Sequence, residues 1–283
     1  MLGLMKASYN NNFYSKGMIM SDRITIEITN HVAQVRLNRA DKYNAVDMNM
    51  IYGLIEAAAN IKQQKGIRAV VIAGNGPSFC SGLDIPSIMS QPENIKTLLT
   101  TEEGYDANLA QRCALDWHDL DVPVIAALQG HVYGAGLQIA MAADIRIAHK
   151  ETLMSIMEIK WGLIPDMSLT ATVPHFARQD VIKELTFTGK KFNAEEGLAY
   201  GLVTRLDDDP IQAATELAQQ IAGKNPDAVQ GSKALLNQAW QADRKDALAL
   251  EEQIQRTIIA SKNQLEAVQA NFAKREPVFI DKN

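Results

Sequence analysis

Two carboxylates, Glu158 and Asp166, stand eight residues apart downstream of a glycine-rich turn, Gly130-His131-Val132-Tyr133-Gly134-Ala135-Gly136. Carboxylates in such a setting suit proton transfer beside a stabilised anion. A second turn, Ser81-Gly82-Leu83-Asp84, offers a matching group: Gly82 permits a backbone conformation that a side chain would hinder, so the Leu83 amide can point into a cleft. The first turn leads into a helix of small residues, whose N-terminus carries unpaired amides and partial positive charge, and this places the Ala135 amide to meet a developing anion. Taken singly, one turn reads equally as a strand-to-helix loop and the other as tight helix packing. Taken together, they offer two amides from separate segments to one carbonyl oxygen, each donor contributing about 10²–10³ in rate. Neither turn has the GK[ST] ending of a phosphate loop, and Ser81 lacks a GxSxG elbow.

The elements that must carry these groups follow from periodicity. Residues 24–37 alternate apolar and polar about Asn30-His31, which predicts a two-stranded hairpin. Asp47 suits the N-cap of a helix in which Met50, Leu54, Ala57, Ala58 and Ile61 recur, ending near Lys65-Gly66. Residues 69–73 form a continuous apolar strand buried on both faces, with further strands at 122–128, 144–148 and 152–156. Helices are expected over 103–120 and 135–143, and the Ser-, Gln- and Thr-containing region 86–116 reads as a mobile loop and helix. Asn193 caps a short helix with Glu195 and Glu196 in its first turn. Beyond Pro210 the pattern is helical throughout, over 211–222, 227–239, 246–261 and 264–275. The expected division is therefore an α/β core over 21–208, a helical region over 209–283, and a disordered extension over 1–20 containing an Asn tract.

Composition excludes several classes. With 283 residues, 47% of them hydrophobic, the chain can bury a large core without staples. A net charge of -5 and a pI near 5.6 argue against a broad nucleic-acid surface. Cys80 and Cys113, the two cysteines, make no metal-ligand spacing, which suits a reducing compartment and no metal. No run approaches the roughly 20 apolar residues of a membrane span, so a soluble, cytoplasmic protein is expected.

The segments Leu37-Asn38-Arg39-Ala40-Asp41-Lys42-Tyr43-Asn44-Ala45, Phe79-Cys80-Ser81-Gly82-Leu83-Asp84-Ile85, 130–148 and 158–166 resemble, in order and spacing, the successive motifs of the crotonase family, the enoyl-CoA hydratases and isomerases. The resemblance runs from about Ser21 to the C-terminus. It implies an α/β fold, a spiral of ββα units with a helical C-terminal region that drives a homotrimer or, as a dimer of trimers, a hexamer. It implies an acyl-CoA thioester as substrate, with no cofactor beyond the coenzyme A that is part of it, and fatty-acid β-oxidation as the default pathway. The thioester oxygen would lie between the amides of Leu83 and Ala135. Coenzyme A would run along Ala40, Lys42, Asn44, Asp84 and Ile85, with Lys42 near its phosphates and Lys274 or Arg275 contributing from a neighbouring subunit.

The reaction is read from three positions. Hydratases of this family hold water between two glutamates, whose places here are taken by Gln138 and Glu158. Gln138 can position water or substrate but cannot carry a proton, so hydration should be impaired. Glu158 with Asp166 resembles the acid pair of the dienoyl-CoA isomerases, although these usually carry a further Asp at position 138. The expectation is double-bond isomerisation of an enoyl-CoA or dienoyl-CoA, with Glu158 as main base and Asp166 as second proton carrier. The alternatives are a hydratase using Glu158 alone and a CoA-binding homologue without turnover. Asp166 also reads as the N-cap of a following helix, His131 as a packing residue and Trp161 as core or pocket wall.

Overall fold

The computed structural model describes residues 18–281. β1 (Met18–Ser21), β2 (Ile24–Thr29) and β3 (Val32–Leu37) form an antiparallel edge, with Ile24 opposite Leu37 and Thr29 opposite Val32. Most of the expected extension, 1–17, lies outside the described residues. The expectation overreached at 18–20: Met18 and Ile19 pair with Ile26 and Thr25, giving the free edge of β2 a hydrogen-bonding partner.

α1 (Met48–Gln63) starts where predicted, because the Asp47 side chain accepts the Met50 N–H at 2.8 Å. β4 (Ala69–Gly74) is buried at every position and runs parallel to β3. The region expected as a loop and a helix over 103–120 is more ordered than that. α2 (Ile85–Met89) and α3 (Pro92–Leu99) each carry a proline in the first turn, and α4 (Leu109–His118) begins late because Asn108 and Gln111 form a capping box. β5 (Val124–Leu128) pairs with β4, beginning just after Pro123. β6 (His131–Tyr133), a strand that the glycine-rich turn concealed in the sequence, leads to α5 (Ala135–Met141). β7 (Ile145–Ala148) and β8 (Leu153–Ser155) follow, then α6 (Leu169–Thr172), α7 (Gln179–Thr188), β9 (Phe192–Asn193), α8 (Ala194–Ala199) and β10 (Arg205–Leu206).

The chain is a spiral. A seven-stranded sheet has the order β1-β2-β3-β4-β5-β7-β10 and a three-stranded sheet the order β6-β8-β9; β5 and then β7 enter the first, each followed by a strand, β6 and β8, that enters the second before a helix returns the chain. The larger core lies on the side of α1, α4 and α5 and contains Phe79, Trp117 and Phe192. The other sheet face is covered by α9 (Pro210–Ala222), whose Ala213, Ala214, Ala218 and Ala222 pack on Val32, Val71, Ile125 and Ile147. Composition changes at 207–210, but packing does not: α9 serves the sheet, and the separate helical region begins with α10 (Pro226–Ala239).

α11 (Arg244–Ile258), which buries no residue, and α12 (Lys262–Phe272) complete that region. It is anchored by Lys233, whose Nζ donates to Asp144 at 2.8 Å and to the Val122 carbonyl at 3.0 Å, and by Arg68, paired with Asp281 at 2.7 Å. Among the described residues no helix is long and apolar enough to cross a membrane.

Candidate active site

The two glycine-containing turns are joined by a rudimentary strand pairing. The Cys80 N–H donates to the His131 carbonyl and the Tyr133 N–H to the Cys80 carbonyl, both at 3.0 Å, a parallel bridge between Cys80 and Val132. Three residues on from each bridged partner lie Leu83 and Ala135, so the register sets these two turns side by side. Gly136 makes the approach possible: a Cβ there would stand 2.6 Å from the Cβ and the carbonyl oxygen of Cys80. Gly82 lies at φ +99°, and a Cβ on it would meet the Tyr133 carbonyl at 3.1 Å.

The direction of the Leu83 amide follows from its neighbours. Gly82 O accepts from Val46 N–H at 2.8 Å and Asp84 N–H donates to Val46 O at 2.9 Å, so the alternating backbone turns the Leu83 N–H away from Val46. Ala135 opens α5, where an amide has no partner four residues back. Among the described residues neither amide donates a backbone hydrogen bond, and both are available to an outside acceptor.

Residues 40–45 are held against this turn. The Asn44 side chain, fully buried, accepts from Arg39 N–H at 2.8 Å and donates to the carbonyls of Asn75 at 3.0 Å and Ser78 at 2.8 Å. Its amide is engaged at both ends as an internal cross-link that holds the segment expected along coenzyme A. Asp84 is likewise engaged, paired with Arg39 at 2.8 Å while its side chain caps Ser87 N–H at 3.2 Å. Ala40 and Ile85 are half-buried and Lys42 is exposed beside them. Arg275 is committed to Glu266 at 2.6 Å, whereas Lys274 is exposed just beyond α12.

Arg39 was missed by the sequence reading. Its guanidinium lies 2.8 Å from Asp84 and 3.5 Å from Asp47, which Arg23 also holds at 2.8 Å, and it donates to Ala45 O at 2.9 Å. It neutralises the acid next to the Leu83 amide and fixes that turn to the start of α1. Its place within the Asn38-Arg39-Ala40 motif was the available signal.

Glu158 begins a single helical turn, Glu158–Trp161, in which the charged residue is buried while Ile159 and Trp161 are 45% and 53% exposed. Ile156, two residues before Glu158, is buried in the core, and Trp161 is not core. Burial of the carboxyl comes from across the fold. A Cβ on Gly134 would lie 3.5 Å from Glu158 Oε1, and Gln138 on the next turn of α5 donates from Nε2 to that same oxygen at 2.6 Å. Oε2 is buried without a hydrogen-bond partner. Desolvation pushes the Glu158 carboxyl above the usual range and the charge of Asp166 adds to this, while Gln138 and nearby backbone amides oppose it.

Asp166 is half-buried, and desolvation raises its carboxyl as well. It is not the cap of the helix that follows, since Ser168, at φ 71°, holds that position. The next amide, Met167 N–H, donates to Gln138 Oε1 at 2.8 Å, so Gln138 ties both acid-bearing segments together. His131 packs as expected, stacked on Tyr133 with ring centroids 5.0 Å apart. A mainly apolar cavity of ≈ 770 Å³, lined by Met141, Arg146, Phe176, Leu236 and Trp240, lies apart from these groups: none of Leu83, Ala135, Gln138, Glu158 and Asp166 borders it.

Comparison with known proteins bears on this geometry. The family model described as enoyl-CoA hydratase/isomerase matches residues 27–282. YngF of Bacillus subtilis (strain 168) is 32% identical over 264 residues, which span 92% of this chain and 99% of that protein. The mitochondrial Delta(3,5)-Delta(2,4)-dienoyl-CoA isomerase of Mus musculus is 30% identical over 279 residues, spanning 90% of this chain and 82% of its own. The crystal structure of enoyl-CoA hydratase from Bacillus anthracis shares the fold with a TM-score of 0.84 at 27% identity, covering 91% of this chain and 98% of that one.

Proposed function

The chain belongs to the enoyl-CoA hydratase/isomerase family, and from that premise we propose that it isomerises the double bond of an enoyl-CoA or dienoyl-CoA through a thioester enolate. The amides of Leu83 and Ala135 hold the thioester oxygen. The Glu158 carboxylate takes the proton from C2 of the acyl chain, and the electron pair moves through the conjugated system onto the thioester oxygen. As the enolate collapses, a carbon further along takes a proton from Asp166. The half-buried position of Asp166 lets solvent restore the proton balance between turnovers.

One observation carries the reading: position 138 presents a neutral amide, bonded at one end to Glu158 and at the other to the amide next to Asp166, so the second acid near Glu158 cannot stand at 138. Water addition needs a second group that holds and activates the water. Gln138 has one end on Glu158 and the other on Met167 N–H, which leaves it poorly placed for that task. A dienoyl shift moves the proton across four bonds, which favours two carboxylates on separate segments over one.

Ala40, Lys42 and Ile85 border the coenzyme A path, with Lys42 and, from another subunit, Lys274 at the phosphates. The helical region leaves Leu236, Trp240, Leu248 and Phe272 exposed, Phe272 by 87%, which supports association into a homotrimer or hexamer. Asp166→Asn tests the two-acid mechanism. It should keep exchange of the C2 proton with solvent deuterium and lose isomerisation by about 10²-fold or more; a variant that isomerises at the wild-type rate contradicts it.

A further inference from the structure

The orientation of the Gln138 amide is fixed by what surrounds it. Met167 N–H, which can only donate, lies 2.8 Å from one end, so that end is the oxygen. The other end, 2.6 Å from Glu158 Oε1, is therefore the NH₂ group. An NH₂ group only donates, so Oε1 accepts whether Glu158 is ionised or not, and a proton on this carboxyl resides on Oε2. That is the buried oxygen without a partner.

Resting on the enolate reading above, we propose that Gln138 is a positioning residue: it holds Glu158 Oε1 as an acceptor, so that the proton of this carboxyl resides on Oε2, and it couples Glu158 to the Asp166 segment through Met167. A glutamate at this position would keep the bond from Met167 N–H with one oxygen and turn the other towards Oε1. Two carboxylates that close must share a proton. Gln138 thereby separates a site that passes protons between Glu158 and Asp166 from one that shares a proton between positions 138 and 158. Among the described residues the groups acting on Glu158 are Gln138 from α5, the backbone at Gly134, the amides of Met157 and Glu158 itself, and Asp166 from the following loop.

The test compares wild type, Gln138→Met and Gln138→Glu by three readings: the pH profile of 3-enoyl-CoA isomerisation, water addition to a 2-enoyl-CoA, and titration of the Glu158 carboxyl by ¹³C NMR. Binding of butyryl-CoA reports whether each variant is folded. Gln138→Met, similar in length but without donor or acceptor, should lower kcat about 10- to 100-fold with little change in KM and move the acid limb and the NMR titration to higher pH. Gln138→Glu should move both further and gain water addition. A fall in kcat with unmoved acid limb and titration in both variants overturns the proposal. Wild type that isomerises nothing, yet shows the shifted titrations in the variants, overturns the functional reading and leaves the positioning role standing.

Discussion

Glu158→Gln separates the catalytic account from the structural one in a single variant. Glu158 is 8% exposed, its Oε1 accepts from Gln138, and its Oε2 is buried without a partner. The amide retains the acceptor for Gln138 and replaces a buried, partnerless carboxylate oxygen with a neutral group. Loss of the base should lower kcat by about 10²-fold or more while acyl-CoA affinity changes little. The same change should stabilise the protein, because an unpaired buried charge costs more than an unpaired neutral group; a difference of about 1–2 kcal/mol is expected. For a chain of this size that raises Tm by about 2–8 °C. The pH dependence has a definite sign. Burial raises the Glu158 carboxyl in the folded protein, so below the unfolded-state pKa both forms are protonated and the variant gains nothing. The gain grows as pH rises through the unfolded and then the folded pKa, and is constant above. Thermal melts across this range at fixed protein concentration, with isomerisation kinetics on the same samples, provide the assay. Unchanged turnover, or a Tm difference independent of pH, refutes the reasoning.

Two further substitutions test the scaffold around the site. Gly136→Ala puts a Cβ 2.6 Å from Cys80 and should force the Leu83 and Ala135 turns apart, lowering kcat by about 10²–10³-fold; wild-type turnover would show that the two amides do not act together. Asn44→Ala removes a buried side chain with three backbone partners and should cost about 1–3 kcal/mol in denaturant unfolding, whereas loss of CoA affinity with undiminished stability would place Asn44 on the ligand.

What was legible in the sequence had local causes. The hairpin at Asn30-His31, the Asp47 cap and the Asn193 capping box each rest on a few neighbouring residues, and the structure has all three. β6 was invisible because three residues between glycines form a strand only when β8 lies alongside. The 86–116 region concealed two helices whose signals were the prolines at their starts. The cross-link made by Asn44 was not legible because its backbone partners, at Asn75 and Ser78, lie far along the chain. Glu158 was singled out by its spacing to Asp166 and its place in the motif; the structure buries it beside Gly134 and Gln138 while Ile159, Trp161 and Leu163, which follow it, face outward. Gln138 itself was legible as a non-acid; that its two ends hold the acid segments together depends on contacts 20 and 29 residues away.

The central claim, that this site moves a double bond, is tested most directly by incubating the purified protein in D₂O with a 2-enoyl-CoA, a 3-enoyl-CoA and a 3,5-dienoyl-CoA and weighing the products by mass spectrometry. Conversion of the 3-enoyl or 3,5-dienoyl substrate with deuterium uptake and no other change in mass is expected. Gain of one water as the main reaction would show that Glu158 suffices for hydration beside Gln138, and binding without any product would leave a CoA-binding homologue; either result contradicts the account.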